Sequence, residues 1–405
     1  MIPPNSELNV CVLGLGYIGL PTAALLASRG IHVQGVDVVP QTVETINQGK
    51  VQIVEPDLDL MVQAATRSGK LQAADKPDPA DIFIIAVPTP TQDDASGIPQ
   101  PCIDAVLDAA RAIAAVAQPG NLIIVESTSP VGTTRKVAQT LADSGMDPDT
   151  LHLAYCPERV LPGRIMKELV ENDRIIGGLT PVAATAAKAF YQRFVMGTIY
   201  ETTAETAEMV KLSENAYRDL NIAFANELSI ISHNLGVDAN ELIRLANCHP
   251  RVNILQPGCG VGGHCIAVDP WFIVASDPEN SKLIQQARKT NDYKSQWVME
   301  RIKEKYRGLD KKHPTVALCG LAFKPNIDDL RHAPALEIAL QLNQETDATF
   351  LHVEPNISQH DTLTITPFQE AIQEADLIVL LVAHTPFLDG SLDSIDAPVL
   401  DFTCH

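Results

Sequence analysis

Short apolar runs alternate with longer amphipathic stretches through the first half of the chain. Six runs predict buried strands, at residues 10–13, 31–36, 81–87, 121–126, 151–155 and 174–177. Apolar strands separated by helical stretches predict a mostly parallel sheet with helices on both faces. Such sheets bind ligands beyond the carboxyl ends of their strands, so we expect cofactor and substrate to meet near residues 88–90 and 127–130.

The middle of the chain has a helical period instead. It contains no proline or glycine at residues 203–234, and apolar residues recur at helical spacing from Val210 to Ile231. This pattern predicts one long helix with an apolar stripe that must be buried. A second helix is predicted from Asp238, with Glu241 completing a capping box.

The last part of the chain returns to the strand pattern. After a charged linker at 307–312, apolar runs at 315–319, 350–353 and 377–382 predict a second, smaller α/β domain. We therefore expect an α/β protein of three domains. They are an N-terminal dinucleotide-binding domain at 1–202, a central helical domain with the long helix at 203–306, and a C-terminal α/β domain at 307–405.

A glycine-rich turn follows the first predicted strand. Gly14, Gly16 and Gly19 form a G-x-G-x-x-G sequence that leads into a predicted helix. Gly14 permits the tight turn, Gly16 lets the backbone approach a pyrophosphate, and Gly19 lets helix and strand pack closely. Asp37 ends the second strand, 18 residues after Gly19, where a carboxylate binds the ribose 2′-hydroxyl and repels a 2′-phosphate. The succession of strand, glycine turn, helix, second strand and Asp37 disfavours the alternative of a glycine-rich turn that binds no ligand. It predicts a Rossmann domain that binds NAD.

Composition excludes several partners. The chain has 405 residues and a formal net charge of −20, which argues against binding nucleic acid or an anionic membrane. No apolar run approaches the roughly 20 residues of a membrane-spanning helix, and the first strand begins too early for a signal peptide. The 8 cysteines form no C-x-x-C pair, which favours free thiols in the cytoplasm over disulfides or a metal site.

A cysteine in a glycine-rich loop indicates the chemistry. Cys265 ends the segment GCGVGGHC at residues 258–265. An aldehyde has no hydride to give until a nucleophile adds to it. A thiolate forms that adduct, the adduct gives its hydride to NAD, and a thioester remains for water to cleave. Cys265 beside a dinucleotide site therefore predicts oxidation in two steps at one carbon, with Asp269 near the hydrolytic water. A buried structural thiol is the alternative, which we assign to Cys11, Cys102 and Cys319.

Cationic residues recur where an anionic substrate would need them. Lys211, Asn215 and Arg218 share one face of the long predicted helix, at spacing i, i+4 and i+7. A solvated polar face is the alternative. A cationic face in an acidic chain favours function, because a lysine near a developing alkoxide polarises it or relays its proton. Further cations suited to phosphate or carboxylate are Arg159, His249, Arg251, Lys324 and Arg331.

Five longer segments carry a family resemblance. They are YCPERVLPG at 155–163, SENAYRDLNIAFANELS at 213–229, HPRVNILQPG at 249–258, GVGGHCIAVDPWF at 260–272 and LAFKPNIDDLR at 321–331. Together they resemble the UDP-glucose/GDP-mannose dehydrogenase family along nearly the whole chain, and most specifically its UDP-N-acetyl-D-mannosamine dehydrogenase branch. The resemblance implies a Rossmann NAD domain, a central helical domain that forms a homodimer, and a Rossmann-like C-terminal domain that binds the UDP-sugar. It also implies an NAD-dependent four-electron oxidation of the C6 hydroxymethyl of UDP-N-acetyl-D-mannosamine to the uronate, through a cysteine thiohemiacetal and thioester.

Matched residue by residue, the resemblance assigns roles. The catalytic positions are the nucleophile Cys265 together with Lys211, Asn215, Asp269, Thr128 and Glu158. The NAD-binding positions are Gly14, Gly16, Tyr17, Ile18, Gly19, Asp37, Thr89, Thr128 and Arg331. The UDP-sugar positions are Arg159, Val160, Lys211, Asn215, Arg218, His249, Arg251, Gly262 and Lys324. In the family, the loop that bears Arg251 reaches the neighbouring subunit's site.

The chain departs from the family pattern, and other functions compete. His332 and Ala333 follow Arg331 where the family usually has Glu-Ser, and Cys259 replaces a more usual proline. A dehydrogenase of another UDP-N-acetylhexosamine, such as UDP-N-acetylglucosamine, is the alternative within the class, because the two sugars differ only at C2. A single-step dehydrogenase of β-hydroxyacid type would not need Cys265. A non-catalytic nucleotide-sugar binding protein would not need Lys211, Asn215 and Cys265 together.

Overall fold

The computed structural model describes residues 5, 7–53, 55–92 and 97–403, with the backbone alone at 393 and 394. The residues before Asn5, where a signal peptide is not expected, and Cys404 lie outside the described residues. The chain divides into two compact units, Met1–Ser213 and Glu214–His405. The three-domain division at residues 202 and 306 stays a prediction beside this two-unit division.

The first unit is built from strands that alternate with helices. Its strands are β1 (Asn9–Leu13), β2 (His32–Val36), β3 (Leu71–Ala74), β4 (Ile82–Ile85), β5 (Thr91–Gln92), β6 (Gln100–Pro101), β7 (Leu122–Val125), β8 (His152–Tyr155), β9 (Arg174–Gly178) and β10 (Ile199–Thr203). Its helices are α1 (Gly19–Ser28), α2 (Pro40–Asn47), α3 (Leu58–Arg67), α4 (Asp104–Ala114), α5 (Thr133–Asp143), α6 (Ile165–Glu171) and α7 (Pro181–Tyr191). The six predicted strands are β1, β2, β4, β7, β8 and β9, with ends within two residues of the prediction.

Eight of these strands form one sheet, and its order positions the cofactor. The order is β10-β9-β8-β7-β4-β1-β2-β3, parallel except for the β8–β9 pair. Side chains alternate between two cores along β1, with Val10 and Val12 in one core and Cys11 and Leu13 in the other. The mostly parallel sheet with both faces covered is thus confirmed. Strand order reverses beside β1, which is where sheets of this kind bind dinucleotides.

The second unit contains helices followed by a smaller sheet. Helix α8 (Ala204–Leu235) begins in the first unit and continues into the second. The helices that follow are α9 (Ala239–Ala246), α10 (Asp269–Ser276), α11 (Lys282–Arg307), α12 (Pro334–Leu342) and α13 (Phe368–Glu374). The strands β11 (Thr315–Cys319), β12 (Thr349–Val353), β13 (Leu377–Leu380) and β14 (Val399–Asp401) form a parallel sheet in the order β12-β11-β13-β14. Within the described ranges, no helix is long and apolar enough to cross a membrane.

The predicted helices of the middle segment are confirmed, with one correction to the linker that follows them. Asp238 caps α9, accepting hydrogen bonds from the N–H groups of Asn240 and Glu241. The apolar stripe of α8 is not buried throughout, because Phe224 and Ile231 remain 50% and 45% exposed. The described chain does not cover that side of the helix, so burial of the whole stripe stays a prediction. The charged linker was expected from residue 307, but Arg307 is the last residue of α11.

Candidate NAD site and active site

The glycine turn after β1 has the geometry that a dinucleotide needs. Gly14 has φ +93°, and a Cβ there would lie 2.5 Å from the carbonyl oxygen of Ala86. A Cβ on Gly19 would lie 1.8 Å from the carbonyl oxygen of Gly14, so the tight turn and the close packing of helix on strand both require glycine. At Gly16 a Cβ would meet no protein atom within 4 Å. The open side of Gly16 faces no packing constraint, which fits a backbone that must admit a pyrophosphate at the start of α1.

Asp37 is fixed in orientation at the end of β2. Its Oδ2 accepts the N–H of Leu15 and its Oδ1 accepts the N–H of Val39, each at 2.9 Å. Tyr17 and Ile18 occupy the turn that precedes α1, with Ile18 at its N-cap. These contacts hold a carboxylate beside the glycine turn, where a ribose would bind.

Two loops that follow neighbouring strands are joined at the same edge of the sheet. Thr89 follows β4 and Thr128 follows β7, and the Thr89 hydroxyl donates to the Thr128 carbonyl oxygen at 2.5 Å. The structure thereby brings together two residues that the resemblance assigns to NAD.

A strong preference for NAD over NADP is the first expected consequence. A 2′-phosphate facing the Asp37 carboxylate meets a like charge, which costs several kcal/mol, so kcat/KM with NADP should be lower by about a hundredfold or more. Steady-state kinetics with both cofactors measure the ratio, and an Asp37→Ser variant should narrow it. Equal efficiency of the wild-type protein with both cofactors would contradict a ribose contact at Asp37.

A buried ionisable cluster lies where β7 and β8 end. Glu126 directly follows β7, and Glu158 lies just after β8 in the YCPERVLPG segment. Glu158 Oε2 accepts from Arg174 at 2.5 Å, and Glu126 Oε1 accepts from the Tyr191 hydroxyl at 2.5 Å. Burial, followed by the charge of Glu158, raises the pKa of Glu126 to about 7. The second Glu158 oxygen accepts the N–H of Arg159 at 2.7 Å, so Arg174 fixes the turn that carries the predicted site residues Glu158, Arg159 and Val160.

Sequence reasoning found Glu158 and missed its partners. Glu126 closes an apolar strand, which is a local signal of a buried acid, whereas Arg174 and Tyr191 carry no sign of their role. Only the pairing of β9 with β8 and the packing of α7 bring them to the cluster.

Replacing Glu126 with glutamine should change how stability depends on pH. The unfolded carboxyl ionises near its ordinary pKa of 4.5, whereas the folded one keeps its proton up to about 7. The folded state therefore binds the extra proton between these values, and its stability falls as pH rises through this window, by up to about 3 kcal/mol. Glu126→Gln keeps an acceptor for Tyr191 and removes the titration. Relative to wild type, its free energy of unfolding should rise between pH 5 and pH 8.

Urea unfolding at several pH values makes this measurement. Glu201→Gln is the control, because Glu201 is an exposed acid whose pKa is lowered by Lys188 and Thr185. That variant should show no such gain at high pH. A Glu126→Gln curve parallel to the wild-type curve would show that Glu126 ionises at an ordinary pH.

Helix α8 is tied to the loop that follows Thr128. The Glu208 carboxylate accepts from the N–H of Gly132 at 2.6 Å and from the N–H and hydroxyl of Thr134 at 2.8 and 2.7 Å. Lys211 lies one turn further along α8 and is buried at 9% exposure. A buried position is unusual for a lysine and excludes the solvated polar face as an account of this residue.

The second unit brings three predicted catalytic residues together. Cys265 is exposed, and its carbonyl oxygen accepts from the N–H of Asp269 at 2.8 Å. Asp269 begins α10 and is buried, and its Oδ2 accepts from the Asn215 side-chain amide at 2.5 Å. Asn215, Asp269 and Cys265 therefore form one connected group on α8, α10 and the intervening loop.

Exposure separates Cys265 from the structural thiols. Burial raises the pKa of Cys11, Cys156 and Cys259 to about 12, which keeps these thiols protonated and inert. Among the described cysteines, Cys248 and Cys265 are the exposed ones. The thiol in the glycine-rich loop is thus accessible for reaction, whereas its neighbour Cys259 is not.

The loop after β11 packs on the glycines that precede Cys265. A Cβ on Gly262 would lie 2.3 Å from the carbonyl oxygen of His332. Arg331 makes a two-point ion pair with Asp329, at 2.8 and 2.7 Å, and His264 lies 3.9 Å from the same carboxylate. Burial, followed by the charge of Arg331, lowers the pKa of His264. The predicted residues Gly262 and Arg331 thus belong to one packed region of the second unit, and Lys324 directly follows Phe323, which a Cβ on Gly262 would meet at 3.0 Å.

Other predicted cations lie at the surface. Arg218, His249 and Arg251 are exposed, and Arg159 and Val160 are half-buried on the turn after β8. Within the described ranges, the guanidinium of Arg251 makes no hydrogen bond or ion pair, whereas the backbone N–H of Arg251 donates to His249 Nδ1 at 3.3 Å. These side chains are accessible to an anionic ligand. Of the predicted catalytic residues, Thr128, Glu158 and Lys211 belong to the first unit, and Asn215, Cys265 and Asp269 belong to the second.

Comparison with known proteins identifies the class. Models of the UDP-glucose/GDP-mannose dehydrogenase family match in succession, the NAD binding domain at 8–195, the central domain at 205–293 and the UDP binding domain at 317–401. A Campylobacter jejuni relative named UDP-N-acetyl-D-mannosamine dehydrogenase is 51% identical, over 96% of this chain and 99% of its own length. A Ralstonia nicotianae relative named NDP-N-acetyl-D-galactosaminuronic acid dehydrogenase is 50% identical, over 97% of this chain and 94% of its own.

A solved structure agrees with the fold. The structure of UDP-D-ManNAc dehydrogenase from Pyrococcus horikoshii has a TM-score of 0.89 and 38% identity, covering 98% of this chain and 95% of that chain. Fold and relatives together define an NAD-dependent dehydrogenase of UDP-sugars. The chain belongs to the UDP-glucose/GDP-mannose dehydrogenase family. Membership of this family confirms the predicted fold class, family and cofactor. It excludes the β-hydroxyacid-type dehydrogenase and the non-catalytic binding protein as the class of this protein.

Proposed function

We propose that the protein oxidises the C6 hydroxymethyl of UDP-N-acetyl-D-mannosamine to the carboxylate in two successive steps. The observation that carries this proposal is the exposed Cys265, connected to the Asp269–Asn215 pair in a chain of this dehydrogenase family. The sugar is taken from the name of the Campylobacter jejuni relative at 51% identity. A nucleophilic thiol is what the second oxidation requires and the first does not.

The residues divide the work of the two steps. NAD, when bound, accepts a hydride in each oxidation. Lys211 stabilises the oxygen of the reacting carbon as its proton leaves, and Asn215 donates a hydrogen bond to that oxygen. The Cys265 thiolate then adds to the aldehyde carbon, and loss of the second hydride leaves a thioester. Asp269 orients the water that cleaves the thioester and restores the thiol. One alcohol, two NAD⁺ and one water thus give one carboxylate, two NADH and three protons.

Local cations are proposed to hold the UDP-sugar. The chain carries a formal net charge of −20, so the diphosphate needs positive partners at short range. Arg159, Arg218, His249, Arg251 and Lys324 supply them, with Val160 and Gly262 providing backbone contacts. In the first unit, Thr128 and Glu158 lie at the carboxyl edge of the large sheet, where ligands of such folds bind.

The candidate substrates differ in the configuration of the hexosamine. Relatives at almost equal identity carry different names, one for N-acetyl-D-mannosamine and one for N-acetyl-D-galactosaminuronic acid. This observation keeps another UDP-N-acetylhexosamine, UDP-N-acetylglucosamine included, as the second candidate.

A panel of nucleotide sugars decides between them. UDP-N-acetylmannosamine, UDP-N-acetylglucosamine, UDP-N-acetylgalactosamine and UDP-glucose are each incubated with NAD, and NADH is counted per sugar consumed. We expect the highest kcat/KM with the mannosamine and two NADH per sugar. A higher kcat/KM with a different hexosamine would transfer the assignment to that sugar, and one NADH per sugar would contradict the two-step reaction.

A homodimer through the central helices is also proposed. Tyr217, Phe224, Ile231 and Leu235 are 70%, 50%, 45% and 72% exposed, and they lie along α8 at spacings of seven, seven and four residues. Such spacing places them on one side of the helix, an apolar strip suited to a second copy. Light scattering at micromolar concentration should give twice the chain mass. The buried cysteines Cys11, Cys156, Cys259 and Cys319 are free thiols, which favours a reducing compartment and supports a cytoplasmic location.

A further inference from the structure

The contact between α8 and α11 is polar where an apolar one would suffice. Asp219 on α8 accepts from Arg288 at 2.6 Å and from the Asn291 amide at 2.7 Å. The Asn226 amide donates to Asn291 Oδ1 at 2.9 Å, and Lys294 donates to the Ser229 hydroxyl at 2.7 Å. These side chains are all buried. These six side chains form a polar ladder, with Asp219, Asn226 and Ser229 on α8 and Arg288, Asn291 and Lys294 on α11. Buried polar pairs add little net stability compared with apolar packing, so stability alone does not explain this ladder.

The ladder fixes the orientation of one amide. An ionised carboxylate only accepts, so Asp219 must receive the NH₂ of Asn291, and this turns the Asn291 oxygen toward Asn226. Asn226 must then present its NH₂ to Asn291 and its oxygen to the opposite side. That oxygen accepts the backbone N–H of Gly258 at 2.9 Å. The direction of each bond follows from the carboxylate at the start of the ladder.

Gly258 begins the loop that ends at Cys265, and the first three residues of this loop are held in place. Ser295 on α11 donates its hydroxyl to the carbonyl oxygen of Cys259 at 2.8 Å. Gly260 has φ +146°, and a Cβ there would lie 2.4 Å from the Ser295 hydroxyl and 2.9 Å from Pro334. The backbone of Gly258 and Cys259 is thus pinned by two hydrogen bonds from α8 and α11, and Gly260 admits no side chain.

We propose that Asn226 and Ser295 are positioning residues for Cys265, which place its loop for attack on the aldehyde. The inference rests on the proposed function, because it takes Cys265 as the nucleophile. Neither residue touches substrate in this account; each acts through the backbone of the loop. A nucleophile misplaced by about 1 Å reacts on the order of a hundredfold more slowly. Loss of either hydrogen bond should therefore slow the addition of the Cys265 thiolate to the aldehyde.

Three variants test the proposal. Asn226→Ala frees Gly258 and Ser295→Ala frees Cys259. Ser229→Ala removes the Lys294–Ser229 hydrogen bond of the same polar ladder and keeps both of these hydrogen bonds to the loop backbone. With the sugar that the wild-type protein oxidises, Asn226→Ala and Ser295→Ala should form acid with a kcat at least about tenfold below that of the wild-type protein and a KM within about threefold of it. They should also release aldehyde, trapped with hydroxylamine, and give fewer than two NADH per sugar. Ser229→Ala should keep two NADH per sugar and release no aldehyde.

Alkylation of Cys265 gives a readout that needs no turnover. Iodoacetamide is applied to the folded protein without substrate, and modification of Cys265 is followed by mass spectrometry. A rate that differs several-fold from wild type in Asn226→Ala or Ser295→Ala, but not in Ser229→Ala, supports the proposal. Unchanged alkylation together with two NADH per sugar in both loop variants overturns it. If Asn226→Ala does not fold, Ser295→Ala alone tests the positioning role. Full acid formation by Cys265→Ser would instead refute the proposed function.

Discussion

Replacing Cys265 with serine is expected to abolish formation of the acid. A hydroxyl is far less nucleophilic at neutral pH than a thiol of pKa near roughly 8.5, so no adduct forms from which the second hydride can leave. The loss should be on the order of a thousandfold or more in acid produced per second, since the covalent route is removed. Acid is measured by mass spectrometry of the nucleotide sugar, with NADH followed by absorbance.

Cys248→Ser is the matched control for this experiment. Cys248 is also exposed, but it lies two residues after helix α9 and outside the glycine-rich loop. Its replacement should leave acid formation unchanged. Retention of full acid production by Cys265→Ser, with Cys248→Ser equally active, would refute covalent catalysis at residue 265.

Arg251→Ala is expected to weaken binding of the UDP-sugar more than binding of NAD. The Arg251 guanidinium is exposed and, in the part of the chain that is described, has no acidic partner. A lost charge-assisted hydrogen bond to phosphate costs on the order of 2 kcal/mol, or roughly thirtyfold in affinity. Titration calorimetry with the UDP-sugar and with NAD separates the two effects. An equal loss for both ligands would point to a general disturbance of the fold.

Mixing two inactive parents tests whether Arg251 serves the neighbouring subunit. If its loop crosses the proposed dimer interface, a mixed dimer of Arg251→Ala and Cys265→Ser protomers has one site lacking both side chains and one site intact. Activity should then reappear on mixing. Absence of recovery, with subunit exchange shown by native mass spectrometry, would place Arg251 in its own subunit's site or away from the ligand.

The fold was largely predictable because its strands are short, apolar and bounded by turn residues. The runs at β1, β4 and β7 are buried on both faces of a parallel sheet, so they contain few polar residues and stand out in the sequence. The strand β10 was not anticipated, because Ile199–Thr203 is an edge strand with a mixed burial pattern and carries no such signal.

The candidate site was predictable where local sequence sets the chemistry. The glycines around Gly16 and Cys265 mark backbone that must come close to another group, and this requirement is visible in the sequence. Partners that arrive from distant elements were not predictable. Arg174 reaches Glu158 only through the β8–β9 pairing, and Asn291 reaches Asn226 only because α11 packs beside α8. The exposure of Phe224 in the single chain was not predictable, because periodicity indicates which side of a helix is apolar and not what covers it.

The polar ladder between α8 and α11 also sets the axial register of the two helices. Apolar helix faces can slide past one another, because each new position buries a similar area. Here a shift of one turn, about 5.4 Å, would separate Asp219 from Arg288 and Asn291 and leave its carboxylate buried without these partners, whereas Arg288 would keep Asp292 on its own helix. A buried unpaired charge costs about 3–5 kcal/mol, so intermediate registers are scarcely populated. The two helices are therefore mechanically coupled, and a displacement of either one along its axis must carry the other with it.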